Sequence, residues 1–444
     1  MLRILTRLST RLMERYLPDP LIFVILLSLL VLCLASLSTS ATPLQMIHYF
    51  GDGFWQLLAF TLQMAMVLLT GHVMAKSLPV RRLLYRLANL PKTAGGTIIL
   101  VTLIAMLASW INWGFGLVIG VLLAKEVARQ RQDTDYRLLI ASAYSGFLIW
   151  HGGLAGSIPL TIATSDHNFV KQIGVIPMTR TVFTYENLLL VMVVVLAITA
   201  LNYFMHPRPQ ERFIIDRQLL QEPAPEVADN KSALSPAQRL EHSVFLNYLI
   251  GIVGLVYVIY YFIEKNSVIN ALNLNIVNFI FLFVGLILHK TPRSYINAVQ
   301  EAAAGVGPIL IQFPFYAGLM GMMVHSGLAQ QITHALLSIS TESNFYTLAF
   351  MSAGVLNFFI PSGGGQWQVQ APIMIEATQA LGLDQAKTAM AVAWGDAWTN
   401  MIQPFWALPA LAIAGLKAKD IMGFCVLVLL LSGVVIAGMF YCMY

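Results

Sequence analysis

The sequence predicts an all-α polytopic membrane protein built from two inverted-topology repeats, each with a re-entrant hairpin and a discontinuous transmembrane helix. Three observations carry that prediction. The first is composition: of 444 residues, 58% are hydrophobic and 11% charged. A soluble domain carries about 25% charge, so apolar runs this long and this free of charge read as membrane spans. The second is an internal repeat, its offset of about 249 residues slipping to about 245 further along. Thr42-Pro43 returns as Thr291-Pro292, Ile47 as Ile296, Asp52 as Glu301, Gln63 as Gln312 and Ser77 as Ser326; further on, Asn112 returns as Asn357 and Pro159 as Pro404. The third is that basic residues flank the two copies on opposite sides, the sequence trace of inverted repeats. The net charge of +5 gives no reason to expect nucleic acid, because the basic residues sit between spans, where topology explains them. Cys33, Cys425 and Cys442 lie in apolar stretches without metal-ligand spacing and read as packing residues.

Residues 1–17 form an amphipathic interfacial helix. Arg3, Arg7, Arg11 and Arg15 recur every four residues with Leu2, Leu5, Leu8 and Leu12 between them. That pattern suits a helix on the inner membrane surface, its arginines among lipid head groups. Repeat one covers 18–205. Its first span, about 20–39, exits into a segment without Lys or Arg. The second, about 54–75, returns to Lys76, Arg81, Arg82, Arg86 and Lys92, a cluster that belongs in the cytoplasm. The next apolar stretch breaks at 112–116 and ends at Lys125, Arg129, Arg131 and Arg137. Two basic clusters cannot lie on opposite faces, so this stretch is a hairpin with its tip at 112–116, open to the cytoplasm. From Tyr136 the chain crosses outward, interrupted at His151-Gly152-Gly153, and returns through about 183–205.

Residues 206–243, with Pro207, Pro209, Pro223, Pro225 and Pro236, are a cytoplasmic linker loop, and 244–265 is a connecting transmembrane helix. Repeat two covers 266–444. Its segment 326–343 has no Lys or Arg where the first copy has its basic cluster. The second hairpin, with its tip at 361–366 and arms over 346–360 and 368–381, therefore opens from outside. A discontinuous helix runs from Lys387 through 400–404 to Lys417 and Lys419, and a final span over 421–442 leaves the C-terminus outside.

Backbone that leaves helix inside the hydrocarbon layer must be satisfied by protein, water or ligand. The sequence predicts four such breaks: 112–116, 151–159, 361–366 and 395–404. The second arm of a hairpin starts with free N–H groups and the positive end of its dipole, a cradle for an anion. Ser362, Gly363, Gly364, Gly365 and Gln366 supply close backbone approach plus hydroxyl and amide donors. Asn112, Gly114 and Gly116 are the matching tip, and Asn357 the repeat mate of Asn112. A glycine-rich turn is more often a plain kink, but mirrored placement favours substrate binding.

Trp110, Trp113, Trp150, Trp367, Trp394, Trp398 and Trp406 lie in or beside the breaks; with Phe115 and Phe405 they wall a small apolar pocket, Trp150 and Trp398 facing the ligand. Few cations occur there, which suits one carboxylate on a short alkyl body. Asp396 is the candidate for a coupling proton, or for Na⁺ held with Asn400; His151 is the second titratable candidate. The bland alternatives are a buried Asp capping a half-helix and a structural histidine. Asp52 and Glu301 read as structural, and no cofactor or metal beyond a coupling Na⁺ is expected.

These motifs also resemble a known family. Gly51-Asp52-Gly53-Phe54-Trp55, Ile111-Asn112-Trp113-Gly114-Phe115-Gly116-Leu117, Gln312-Phe313-Pro314-Phe315-Tyr316-Ala317-Gly318, Pro361-Ser362-Gly363-Gly364-Gly365 and Gln403-Pro404-Phe405-Trp406-Ala407-Leu408-Pro409 look like the bacterial short-chain fatty acid transporters. The resemblance covers nearly the whole chain. It implies uptake of monocarboxylates such as butyrate or acetoacetate across the inner membrane, and membership of the ion-transporter superfamily, whose members are often homodimers with elevator-like motion.

The expectation is thus a secondary transporter, with a monocarboxylate and membrane lipid as its partners and no nucleic acid. A carrier of dicarboxylates is one rival, though it would require more pocket cations. An intramembrane hydrolase using Ser362, His151 and Asp396 is another, without a GxSxG or HExxH motif to place a nucleophile beside its base. A channel is the third, disfavoured by paired broken hairpins.

Overall fold

The second half repeats the helix order of the first, and its early helices do so at the offset read from the sequence. The computed structural model describes residues 2–443 except 166, 217–219, 221–234, 267, 269–270, 272–273 and 304–305. The first half comprises α1 (Leu2–Tyr16), α2 (Pro20–Ser38), α3 (Pro43–Gly53), α4 (Leu58–Lys76), α5 (Leu78–Ala88), α6 (Ala94–Ile111), α7 (Trp113–Gln130), α8 (Tyr136–Ser145), α9 (Ser157–Ile162) and α10 (Tyr185–Phe204). After α11 (Val244–Glu264) come α12 (Leu274–His289), α13 (Pro292–Ala303), α14 (Gly307–His325), α15 (Leu328–Leu337), α16 (Phe345–Asn357), α17 (Gly363–Ala380), α18 (Gln385–Thr399), α19 (Pro404–Ala414) and α20 (Ala418–Met443). The repeat mates of the two ends of α4 are the two ends of α14. Among the described residues there is no strand, and seven helices are long and apolar enough to cross a membrane. Most of the expected linker, Pro223 and Pro225 included, lies outside the described residues.

Local chemistry explains why corresponding helices start together. Thr42 caps α3, accepting from Gln45 N while the Gln45 side chain accepts from Thr42 N, with Pro43 at the first helical position. Its repeat mate Thr291 accepts from Ser294 N, with Pro292 opening α13.

The two hairpins open at opposite ends of the molecule, and α10 is the ruler that shows it. This helix has 20 residues, about 30 Å, enough to cross the hydrocarbon layer. The mouth of the first hairpin (91–94 and 130–135) joins the chain leaving the C-terminal end of α10: Arg212 donates to Asp133 O at 2.7 Å and Arg131 to Pro91 O at 3.1 Å. Hydrogen bonding from Arg131 also holds the Asp133 carboxyl below the usual carboxylate range. The mouth of the second hairpin joins the N-terminal end of α10, where Arg180 pairs with Asp384 at 2.9 Å and Lys387 with Glu186 at 3.5 Å. The opposed hairpins inferred from charge counting are therefore the observed ones.

α1 lies along the start of α20. A Cβ on Gly423 would stand 2.6 Å from Thr10 N, so only glycine permits this approach. Thr6 and Thr10 are buried while Leu5, Leu8 and Leu12 face outward, which leaves an apolar face for lipid. Arg7 pairs with Glu211 at 2.7 Å, and Glu14 with Arg137 at 3.2 Å. Protein acids thus take up Arg7, which the sequence pattern assigns to lipid head groups.

Candidate functional site

Each hairpin tip sits on the broken helix of the other repeat. The first hairpin breaks at Asn112 alone: its extended backbone ends α6, and its Oδ1 accepts from Phe115 N at 3.1 Å to start α7. Trp113, Gly114 and Gly116 are therefore already helical, where the sequence predicts a longer turn. Trp113 meets Trp406 of α19 edge-on, with ring centroids 5.5 Å apart. Gly116 faces Ser109 across the hairpin, and Gly114 faces Val67 of α4. In the second hairpin α16 ends at Asn357 and α17 starts at Gly363. A Cβ on Gly363 would stand 2.6 Å from both His151 Nε2 and Ser157 Oγ, so this tip lies directly on the first repeat's break. Gly364 faces open space and Gly365 lies near Met320.

The broken crossings themselves differ from expectation at their edges. The first winds into 3₁₀ turns from Gly146 to Gly152, then leaves regular helix as far as α9, with Leu154 N donating to Trp110 O of the first hairpin at 2.8 Å. The second stays α-helical through Gly395 and Asp396 and breaks only at Asn400, with 3₁₀ turns to Ile402. Gly395 is needed for packing: a Cβ there would strike the Phe350 carbonyl oxygen of α16. A small residue facing a neighbouring backbone is how membrane helices approach closely.

At the centre lies a buried polar row. His151, fully buried, places Nδ1 2.8 Å from Ala393 O and 3.3 Å from Asp396 Oδ1, and Nε2 3.0 Å from Ser157 Oγ. A carbonyl only accepts, so the Nδ1 proton points at Ala393 and Asp396, and Nε2 accepts from the Ser157 hydroxyl. Trp150 stacks on the imidazole at 3.6 Å and is itself stacked on Phe147 at 5.4 Å, fixing the ring plane.

On the other side of Asp396, Asn357 Nδ2 donates to Asp396 O at 2.7 Å, Thr399 Oγ1 at 3.0 Å and Asn400 Oδ1 at 2.6 Å. Gln403 returns a bond to Asn357 O, and Tyr144 OH reaches Asn400 O at 2.5 Å. The oxygens proposed from sequence to hold Na⁺ thus face nitrogen donors: imidazole at Asp396 Oδ1, an amide at Asn400 Oδ1. Gln366 donates to Ala353 O at 2.8 Å inside its own hairpin. Asn357 Oδ1, Gln366 Oε1, Asp396 Oδ2 and Gln403 Oε1 are buried without a hydrogen-bond partner. Each such group costs roughly 1–3 kcal/mol, and a cluster of them marks a site built for something other than stability.

Two candidates serve local structure in this geometry. Trp398 turns to α20, donating to Leu429 O at 2.8 Å; on a helix it points far from Asp396, two residues away. Ser362 caps α17, accepting from Gly365 N at 3.3 Å. Ser362→Ala should therefore lower stability by about 1 kcal/mol, read as a lower Tm in detergent, with Ser362→Asn restoring most of it. Ser157, Ala393, Gln403 and Tyr144 are site residues that sequence reasoning missed. The signal that comes nearest is Pro159, whose repeat mate Pro404 marks both second half-helices.

A family profile described as "Short chain fatty acid transporter" matches residues 1–443. A curated Escherichia coli (strain K12) protein, provisionally named a short-chain fatty acid transporter, is 45% identical over 431 residues, 97% of each chain. A likewise named Haemophilus influenzae protein is 41% identical over 447 residues, covering 98% of this chain and 99% of its own. Among solved structures, the YdaH transporter of Alcanivorax borkumensis aligns over 95% of this chain and 98% of its own, with 18% identity and a TM-score of 0.45. On the profile match over residues 1–443 and the two full-length relatives at 45% and 41% identity, this multi-pass membrane protein belongs to the short-chain fatty acid transporter family.

Proposed function

We propose that the chain carries short-chain monocarboxylates across the cytoplasmic membrane by alternating access, driven by an H⁺ or Na⁺ gradient, with its N-terminus inside and its C-terminus outside. One observation carries the reading: Gly363 of the second tip rests on His151 and Ser157 of the first repeat's break, while Trp113 of the first tip rests on Trp406 of the second. A ligand between two such tips is reached from one side past one hairpin and from the other side past its mirror mate. The free N–H groups opening α17 suit a carboxylate. Trp113, Trp150, Trp406 and Phe147, packed with ring centroids 5.1–6.2 Å apart, suit a short alkyl body. No bond of the substrate need break.

Uptake of radiolabelled butyrate into proteoliposomes tests this. Saturable uptake above that of protein-free vesicles, competed by acetoacetate and not by succinate, is expected. Competition by succinate alone would transfer the reading to dicarboxylates. In cells, a C-terminal tag should be reached only from outside and an N-terminal tag only from the cytoplasm; the reverse would overturn the orientation.

The row Ser157, His151, Asp396 favours a second reading, because it has the order of nucleophile, base and orienting acid in a hydrolase. Gly363 closes over the Ser157 hydroxyl, and mirrored tips have no purpose in that scheme. Cleavage of a butyryl ester by the purified protein, without translocation, would establish it.

A further inference from the structure

We propose that His151 and Asp396 form one proton-binding unit that holds a single proton in the empty carrier and takes a second together with the carboxylate, so that transport is an electroneutral proton symport. This rests on the carboxylate reading above. Both side chains are fully buried and their nearest atoms are 3.3 Å apart. With one proton between them, beyond the imidazole's own, the pair is neutral. With two it carries a positive charge, which is costly to bury alone. A carboxylate beside His151 Nε2 removes that cost, so the second proton and the anion each raise the other's affinity. Loaded and empty carriers are then both neutral, the condition under which either crosses a low-dielectric layer with least penalty.

The second proton has a defined place. Nδ1 is committed to Ala393 O and Asp396, so protonation occurs at Nε2, which faces Ser157 Oγ and the Gly363 backbone. Ser157 adapts to both states: its hydroxyl donates to neutral Nε2 and accepts from the charged one.

Other ionisable groups on the elements around His151 are engaged elsewhere. On α8, Tyr144 bonds Asn400 O, Tyr136 bonds Ala414 O and Arg137 pairs with Glu14. On α7, Lys125 bonds Ile413 O and Arg129 pairs with Glu126. On α10 and α18, Glu186 pairs with Lys387 at the outer end, and Tyr185 and Tyr203 are exposed. α6, α9 and 400–402 carry none, and Glu376 of α17 is exposed. Asp396 Oδ1 and Asn400 Oδ1, the oxygens named from the sequence for Na⁺, already face nitrogen donors.

Calorimetric titration of butyrate into the solubilised full-length protein, in sodium-free buffers of two different ionisation enthalpies, tests the proposal. Uptake of about one proton per butyrate bound is expected, with affinity falling about tenfold per pH unit on the alkaline side and no effect of added Na⁺. His151→Gln should abolish the proton uptake. Asp396→Asn, which imitates the protonated carboxyl, should keep it. Binding with no proton uptake, or only with Na⁺, would overturn the proton unit and leave the substrate reading standing. No binding of any monocarboxylate would overturn both. If His151→Gln does not fold, the wild-type proton count still decides.

Discussion

Gly363→Ala should lower butyrate exchange in proteoliposomes at least tenfold, because even about 1 Å of displacement at a reacting or binding geometry costs on the order of a hundredfold. The new Cβ would stand 2.6 Å from His151 Nε2 and from Ser157 Oγ. Neither can retreat cheaply: Trp150 and Ala393 O hold the imidazole, and Ser157 opens a helix. The hairpin tip must lift instead, and the two repeats lose their contact at the site. Gly364→Ala is the matched control, since nothing lies within 4 Å of its Cβ. Replacing glycine by alanine in a helix ordinarily stabilises by about 0.5–1 kcal/mol, so Gly364→Ala should hold or raise Tm. If Gly363→Ala exchanges butyrate like wild type, the tip does not bear on His151 during transport.

The architecture was legible because it follows from quantities a sequence carries: apolar length, the sign of flanking charge and the spacing of like residues. Asn112 and Asn357 were found as repeat mates at hairpin tips, and both end the first arm of a hairpin. What could not be read is which residues of one repeat touch the other. His151 and Ser157 stand six positions apart in a broken stretch, where no helical period predicts that they meet. Their common neighbour Gly363 lies in the other half. The glycine-rich segments misled in a consistent way. Gly114, Gly116 and Gly395 mark close helix packing rather than broken backbone, so the breaks are shorter than expected and Trp398 rotates away from Asp396. A glycine that spares a neighbour's carbonyl and one that ends a helix look alike in sequence.

Asn357→Ala should destabilise the protein by about 2–4 kcal/mol, from the loss of the amide's two N–H donations, shared among three acceptors, and from the acceptors left buried. The amide donates to Asp396 O, Thr399 Oγ1 and Asn400 Oδ1, and the backbone carbonyl accepts from Gln403. One residue thereby ties the end of α16 to the whole break between α18 and α19. Asn357→Asp should be worse, since it turns a carboxylate toward three acceptors. Asn112→Ala, at the repeat mate, removes only a helix cap and should cost about 1 kcal/mol. The expected order of Tm in detergent is therefore wild type, Asn112→Ala, Asn357→Ala, then Asn357→Asp. The asymmetry matters for mechanism. With so many bonds between tip and break, the second hairpin and its broken helix are expected to move together in the proposed transport cycle, and substrate to enter where the two repeats part rather than within the second. Butyrate affinity of the folded fraction should then stay within about threefold of wild type, a change under 1 kcal/mol. Unchanged Tm with affinity lowered tenfold or more would make Asn357 a substrate ligand and place the moving joint inside the second repeat.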